Sequence, residues 1–369
     1  MKKLIGKFIV LLLLVSAING CENRKNDKGI IKIGVILPLT GELASYGNPM
    51  RIGIEMAYNE IDNSKYKLII VDSKGENNTA VSALQKLISI DGVKYVIGDV
   101  SSSTTLAMVG IAEKNEVLIL SPGASSPKLQ NISPFFARNY PSSIEESVNS
   151  ASFINANFNK ESVAVIYAND EYGIGLASLF KKEFENYGGV IIMFESYENN
   201  QTDFKTLLSK IKQKEPKIIY LAGNQKEMGR FMRQFHEMGI NSQIVSSISF
   251  LEADCLNVAG DAANGAIVPL PYYNPEDTIY EGAYKFGKLF YNKHGQKPTV
   301  AEAVGYDAVK LMIKAIETGN DSTTQAAAYL RNLKNYDGAL GLLNFRDGEV
   351  SIPVTFKVVI NGKPVDLIK

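Results

Sequence analysis

Five hydroxyl-bearing residues run unbroken, Ser101-Ser102-Ser103-Thr104-Thr105, directly after the apolar stretch Val93 to Ile97 and the turn Gly98-Asp99-Val100. Where a strand hands over to a helix, such a run can hold an anion without a basic side chain. The first turn of a helix has unpaired N–H groups and a partial positive charge, and serine hydroxyls add donors. One serine serves as an ordinary helix cap; three serines and two threonines exceed what a cap requires. Three further loops share this character: Pro38 to Gly47 with Tyr46, Ser121-Pro122-Gly123-Ala124-Ser125-Ser126-Pro127, and Asn169-Asp170-Glu171-Tyr172-Gly173. The chemistry they point to is capture of a carboxylate rather than bond making.

Catalytic alternatives find little support. The two histidines, His236 and His294, sit in segments dense with Lys, Arg and Glu and outside these loops, so a serine hydrolase using 101–103 lacks a base. No histidine-cysteine or histidine-glutamate cluster has metal-ligand spacing. Asp170-Glu171 at a helix start is favoured by the helix dipole and needs no catalytic role. Gly173-Ile174-Gly175 lacks the third glycine of a dinucleotide loop, with Ser178 in its place. Cys255, among Phe250, Leu251 and Leu256, reads as a buried inert thiol. No enzyme, cofactor or metal is expected.

The loops need strands and helices to aim them, and the hydrophobic pattern supplies both. Ile30 to Leu37 is an apolar β-branched run that suits a buried parallel strand. Gly47–Ile61, Ala80–Ile90 and Thr104–Lys114 follow a helical period, with strands at Leu68–Val71, Val93–Ile97 and Val117–Leu120 between and after them. The alternation restarts at Ile144 after a loop-rich break with Pro122, Pro127, Pro134 and Pro141, and a second break spans Pro269 to Pro275. Helices are expected over Thr278–Asn292, Thr299–Thr318 and Thr323–Leu333, with closing strands near Leu340–Phe345 and Val354–Ile360. The fold class is α/β, with two doubly wound parallel sheets and right-handed crossovers. In such sheets ligands sit beyond the carboxyl ends of the strands, where all four loops fall.

The 369 residues balance 39 basic against 39 acidic side chains, so no basic stripe exists for nucleic acid. At the start, Lys2, Lys3 and Lys7 precede an apolar run from Phe8 to Ile18 and then Asn19-Gly20-Cys21. That run falls short of the ~20 residues needed to span a bilayer and reads as a secretory signal over 1–20. The cysteine after a small residue resembles a bacterial lipoprotein signal, which implies a lipid on Cys21 and a polar tether over 21–29. The body is then expected in the bacterial cell envelope, in the periplasm or on the outer face of the cytoplasmic membrane, touching a membrane through its anchor alone.

Ile33-Gly34-Val35-Ile36-Leu37-Pro38-Leu39-Thr40-Gly41, Tyr46-Gly47, Gly53-Ile54-Glu55-Met56-Ala57 and Glu60-Ile61 together resemble the start of the type I periplasmic binding proteins of the leucine/isoleucine/valine-binding branch. Gly98 to Thr104 and Ser121 to Pro127 are similar to that family's two ligand loops. Asp170-Glu171-Tyr172-Gly173, Glu227-Met228-Gly229 and Gly260 with Gly265 continue the likeness over 30–369. The resemblance implies two lobes, 30–140 plus 270–340 and 141–269 plus 341–369, joined by three crossovers and closing on a small-molecule ligand. It also implies a monomer that delivers to the permease and ATPase subunits of an ABC importer. A ligand-sensing module that signals to a receptor or kinase is the alternative on the same fold.

Carried over residue by residue, Ser101 and the Ser125 amide hold a ligand carboxylate. The Gly123 carbonyl and Ser125 hydroxyl receive its ammonium. Tyr46 and Tyr172 line the cleft from opposite lobes, with Ser102 and Ala124 in the same contact set. Two positions depart from the pattern: Ile248 stands where branched-chain amino-acid binders have the glutamate that pairs with the ammonium, and Asn224 where they have an aromatic. Either Asp99 or Glu252 replaces that acid, or the ligand is a different small carboxylate or amide.

Overall fold

A computed structural model describes residues 29–158, 161–320 and 322–367. The signal segment and Cys21 lie outside the described residues. The first sheet has the order β2-β1-β3-β4-β5 and is parallel throughout. Its strands are β1 Ile31–Leu37, β2 Tyr66–Asp72, β3 Tyr95–Gly98, β4 Leu118–Ser121 and β5 Phe136–Arg138. Helices α1 Ala44–Tyr58, α2 Asn77–Ser89 and α3 Ser102–Lys114 alternate with them. Five consecutive residues of β1 are fully covered, as a strand packed on both faces requires.

The second sheet starts after α4 Ser143–Asn157 and has seven strands. A parallel body is made of β6 Val163–Ala168, β7 Ile191–Tyr197, β8 Ile218–Ala222, β9 Gln243–Ser246 and β10 Ile267–Pro271. At one edge the later strands β15 Val354–Ile360 and β16 Lys363–Asp366 run antiparallel, a mixed ending that the expectation of purely parallel sheets had not included. Helices α5 Glu171–Asn186, α6 Lys205–Lys214, α7 Gln225–Glu237 and the short α8 Ala253–Ala259 connect these strands.

Each sheet has its own core on both faces. The chain passes between the sheets three times: after Arg138, after Pro271 and after Val350. The third passage comes later than expected. Segment 341–350, placed with the second lobe from sequence, follows β11 Tyr336–Gly338 and forms β12 Gly341–Leu343, β13 Phe345–Arg346 and β14 Glu349–Val350. Leu343, Phe345, Val350 and Ile352 bury themselves in the core of the first sheet. Two passages are tied together where the Tyr272 amide donates to the Pro353 carbonyl at 2.7 Å.

After the second passage, α9 Glu281–His294, α10 Val300–Thr318 and α11 Thr323–Arg331 return to the first core. Helix α10 crosses α1 at backbone contact distance. A Cβ on Gly53 would collide with the Glu302 carbonyl, and one on Gly305 with the Met50 carbonyl. Only glycine permits that approach from both sides. The crossing fixes the start of α10, capped by Thr299 with Glu302 in a reciprocal capping box, over the space between the lobes.

Candidate functional site

The serine run begins α3. Ser101 is its N-cap: its hydroxyl accepts from the Thr104 amide at 3.4 Å, which leaves the hydroxyl proton free to donate elsewhere. Ser102 does something else, because its Oγ accepts from the Ser126 amide at 3.1 Å and stitches the two loops together. A second stitch runs from Ser121 Oγ to the Asp99 carbonyl at 2.7 Å, and Ser121 Oγ also receives the Ala124 amide at 2.9 Å. The amides of Ser102 and Ser103 have no partner among the described residues, so the helix start keeps donors open.

Behind the second loop lies Arg138, fully buried. Its Nη1 donates to the carbonyls of Ala124 at 3.1 Å and Ser126 at 3.0 Å, and its Nε to Glu349 Oε2 at 2.7 Å. Both carbonyls flanking Ser125 are thus pinned inward, while Ser125 faces the opening. Its own carbonyl accepts from the Ser143 amide at 2.9 Å, which anchors the loop to the first passage between lobes. Nothing in the sequence marked Arg138 except a lone arginine in the short apolar stretch Phe136-Ala137.

The facing wall comes from the second lobe. Asp170 caps α5, accepting from the Gly173 amide at 2.8 Å, and its other oxygen receives Asn224 Nδ2 at 2.6 Å. Ile248 opens a 3-10 turn, and its amide donates to Glu146 Oε1 at 2.8 Å. Glu146 Oε2 accepts from Tyr172 Oη at 3.4 Å. Burial pushes the Glu146 carboxyl up to about 7, opposed by the Ile248 and Tyr172 hydrogen bonds. Burial, then Glu146, raises Tyr172 well above the usual phenol range.

Between the walls is a cavity of about 130 Å³, room for a small solute. Of the sequence-predicted residues, Tyr46, Ser101, Ser102, Gly123, Ser125, Tyr172, Asn224 and Ile248 line it. Ala124 does not: its side chain is buried in the core beneath α3, because Arg138 holds the carbonyl and Ser121 the amide of that residue. Asp99 is also corrected. It is fully buried under the loop, and its Oδ1 accepts from the amides of Val100 and Ser101. Burial raises its carboxyl to about 6 against these bonds. Glu252 does reach the cavity, as do Tyr140, Ser249 and the apolar Leu43, Met50 and Val300, which sequence reasoning missed. The missed apolar ones are single residues, Leu43 and Val300 beside helix starts and Met50 inside α1, indistinguishable in sequence from core.

Above the cavity the lobes touch. Ser45 Oγ donates to Gln225 Oε1 at 2.6 Å, Lys226 pairs with Glu42 at 3.1 Å, and Lys128 pairs with Glu171 at 2.8 Å. His236 and His294 are exposed, and Cys255 is fully buried with burial pushing its thiol further up. Among the described residues no group of His, Cys, Asp and Glu is placed to hold a metal, and no helix is long and apolar enough to cross a membrane.

A two-lobed α/β frame with a polar-mouthed cavity at the strand ends invites comparison with known proteins. The family described as periplasmic binding protein matches residues 30–363. A leucine-, isoleucine-, valine-, threonine- and alanine-binding protein of Pseudomonas aeruginosa is 26% identical over 344 residues, which cover 90% of each chain. The crystal structure of a leucine binding protein from Thermotoga maritima superposes with a TM-score of 0.87 at 26% identity, covering 92% of this chain and 98% of its own. A branched-chain amino acid transporter substrate binding protein of Streptococcus pneumoniae, solved in complex with isoleucine, gives 0.81 at 25% identity, covering 91% and 97%. Family match, relatives and superposed structures agree with the two-lobed geometry, and the chain belongs to the periplasmic binding protein family.

Proposed function

We propose that this protein is the extracytoplasmic substrate-binding component of an ABC importer and that its cleft closes on a small organic solute through the solute's carboxylate. The observation that carries this reading is the cradle at 101–103 and 125. Open amides at a helix start, the Ser101 hydroxyl and an outward Ser125 converge at one end of a largely apolar cavity. That combination accepts one carboxylate and one apolar body. Tyr46 from one lobe and Tyr172 from the other meet the same ligand, so binding bridges the lobes and favours the closed state.

The partners in this reading are a membrane permease and its ATPase, with Cys21 as the lipid attachment site that keeps the protein near them. The lobes divide as 30–140 plus 270–352 and 141–269 plus 353–369.

Thermal shift of the purified protein against L-amino acids, 2-oxo acids, aromatic acids and amides tests the binding step. A ligand at a thousandfold excess over Kd stabilises by about 4 kcal/mol. Ser101→Ala and Tyr172→Ala are expected to weaken the best ligand roughly five- to tenfold with the fold retained, each also lowering the ligand-free melting temperature because Ser101 caps α3 and Tyr172 donates to Glu146. Unchanged affinity in both variants would remove the cleft from the reading.

A further inference from the structure

We infer that Glu252 supplies the counter-charge for a cationic nitrogen in the solute, so that the cleft selects a zwitterion over a simple carboxylate. This rests on the reading of the cavity as the solute site.

The charge census of the cavity is one-sided. Its wall includes two carboxylates, Asp170 and Glu252, and no lysine, arginine or histidine. Asp170 is committed, one oxygen to the Gly173 amide and the other to Asn224. Glu146, behind Ile248, is committed in the same way to the Ile248 amide and Tyr172. Glu252 has no hydrogen bond or ion pair to its carboxylate among the described residues. It stands at the N-cap position of α8, yet its side chain makes no capping bond, so a structural role does not account for it.

Its surroundings make matters worse for an isolated anion. Glu302, across the cleft on α10, and Asp254 both act on it as like charges, and together with burial they push its carboxyl up to about 7. Neither neighbour relieves it: Glu302 is held in the Thr299 capping box and Asp254 lies 3.9 Å from Lys226. The buried Tyr46 phenol, raised well above the usual range by burial and then by Glu252, offers that carboxylate no counter-charge.

An unpaired carboxylate in a closed cleft is unfavourable unless a cation or a proton joins it. A solute with only a carboxylate would bring a further negative charge into a wall with no base. A solute with both charges places its carboxylate on the serine cradle and its nitrogen at Glu252. The acid absent at position 248 is therefore replaced from four residues further along, and the freed position carries the apolar side chain of Ile248.

Isothermal titration of the protein with the twenty proteinogenic L-amino acids, and with the 2-oxo acid of whichever bind, decides the matter. Wild type is expected to prefer an amino acid over its 2-oxo acid by about 100-fold, and Glu252→Gln to reduce that preference to below about tenfold by weakening the amino acid alone. The ligand-free melting temperature of Glu252→Gln above pH 7 should equal or exceed that of wild type, since an unpaired charge has been removed. A 2-oxo acid or benzoate that binds wild type as well as any amino acid overturns the inference and leaves the carboxylate cradle standing. Full retention of the preference in Glu252→Gln does the same. Silence from every carboxylate tested sinks both this inference and the proposed function.

Discussion

The two walls of the cleft are built on different principles. The first-lobe wall is wired from behind. Two loops are cross-linked by Ser121 to Asp99 and by Ser102 to Ser126, and the buried Arg138 clamps the carbonyls on either side of Ser125. Almost every polar group there is occupied except those that face the opening. The second-lobe wall is assembled from three separate segments, carrying Tyr172, Asn224, and Ile248 with Glu252, and single hydrogen bonds to Glu146 and Asp170 hold Tyr172, Asn224 and the Ile248 amide. A carboxylate recognised by backbone amides needs rigidity, which the first wall has. Recognition of the rest of a solute needs freedom to exchange side chains, which the second wall allows. Both departures from the family pattern, Asn224 and Ile248, fall on that second wall.

The largest effect should come from breaking the wiring. Arg138→Met leaves the buried carbonyls of Ala124 and Ser126 unpartnered and strips the largely covered Glu349 of its ion pair. Loss of one partner of a buried pair costs about 3–5 kcal/mol. On the opposite wall, Asn224→Ala removes one side-chain hydrogen bond to Asp170 and should cost about 1 kcal/mol. Urea unfolding of the two variants measures both. Equal losses would mean that the first wall is no more rigidly held than the second.

That contrast also explains what the sequence revealed. The alternation of strand and helix was legible because apolar runs and helical periods are local. So were the loops at 98–105 and 121–127, since serine, glycine and proline cluster where the chain must turn at a strand end. Arg138 was not legible: it becomes important through carbonyls more than ten residues away, and a single arginine carries no period. Ala124 was misplaced for the same reason, because its orientation is dictated by Arg138 and Ser121 rather than by its neighbours. The third passage was set too early because β12 and β13 alternate like any edge strand, and their choice of core is a tertiary matter. At Glu252 the sequence left two acids open, and only their burial separates the one beneath the loop from the one that faces the cavity.

A smaller effect follows from the acids of the second wall. Glu146 is held up at about 7 by burial, above its ordinary carboxylate value. The folded protein therefore binds more protons than the unfolded chain between about pH 4.5 and pH 7, and stability falls as pH rises through that window before levelling off. Glu252 and Asp99, also raised by burial, act in the same direction. Glu146→Gln keeps an acceptor for the Ile248 amide and should flatten part of this slope. Melting temperatures at half-unit pH steps give the answer; an unchanged slope would show that Glu146 is ionised in the folded state.

The smallest effect concerns where the walls meet. Lys226 pairs with Glu42 across the cleft mouth, and both side chains are partly exposed to solvent. Screening limits such a pair to about 0.5 kcal/mol, so Lys226→Met should change the melting temperature hardly at all. Its place between the lobes gives it a different consequence, because it exists only while they touch and so biases the equilibrium toward closure. A bias of this size changes ligand affinity by about twofold at most, and the difference should disappear in high salt. The Ser45–Gln225 hydrogen bond spans the same gap at 2.6 Å without a net charge, so Ser45→Ala should give a change of similar size that salt does not remove. If salt abolished both differences alike, the charge of Lys226 would not be what distinguishes the two contacts, and the mouth of the cleft would be held by lobe packing rather than by its polar bridges.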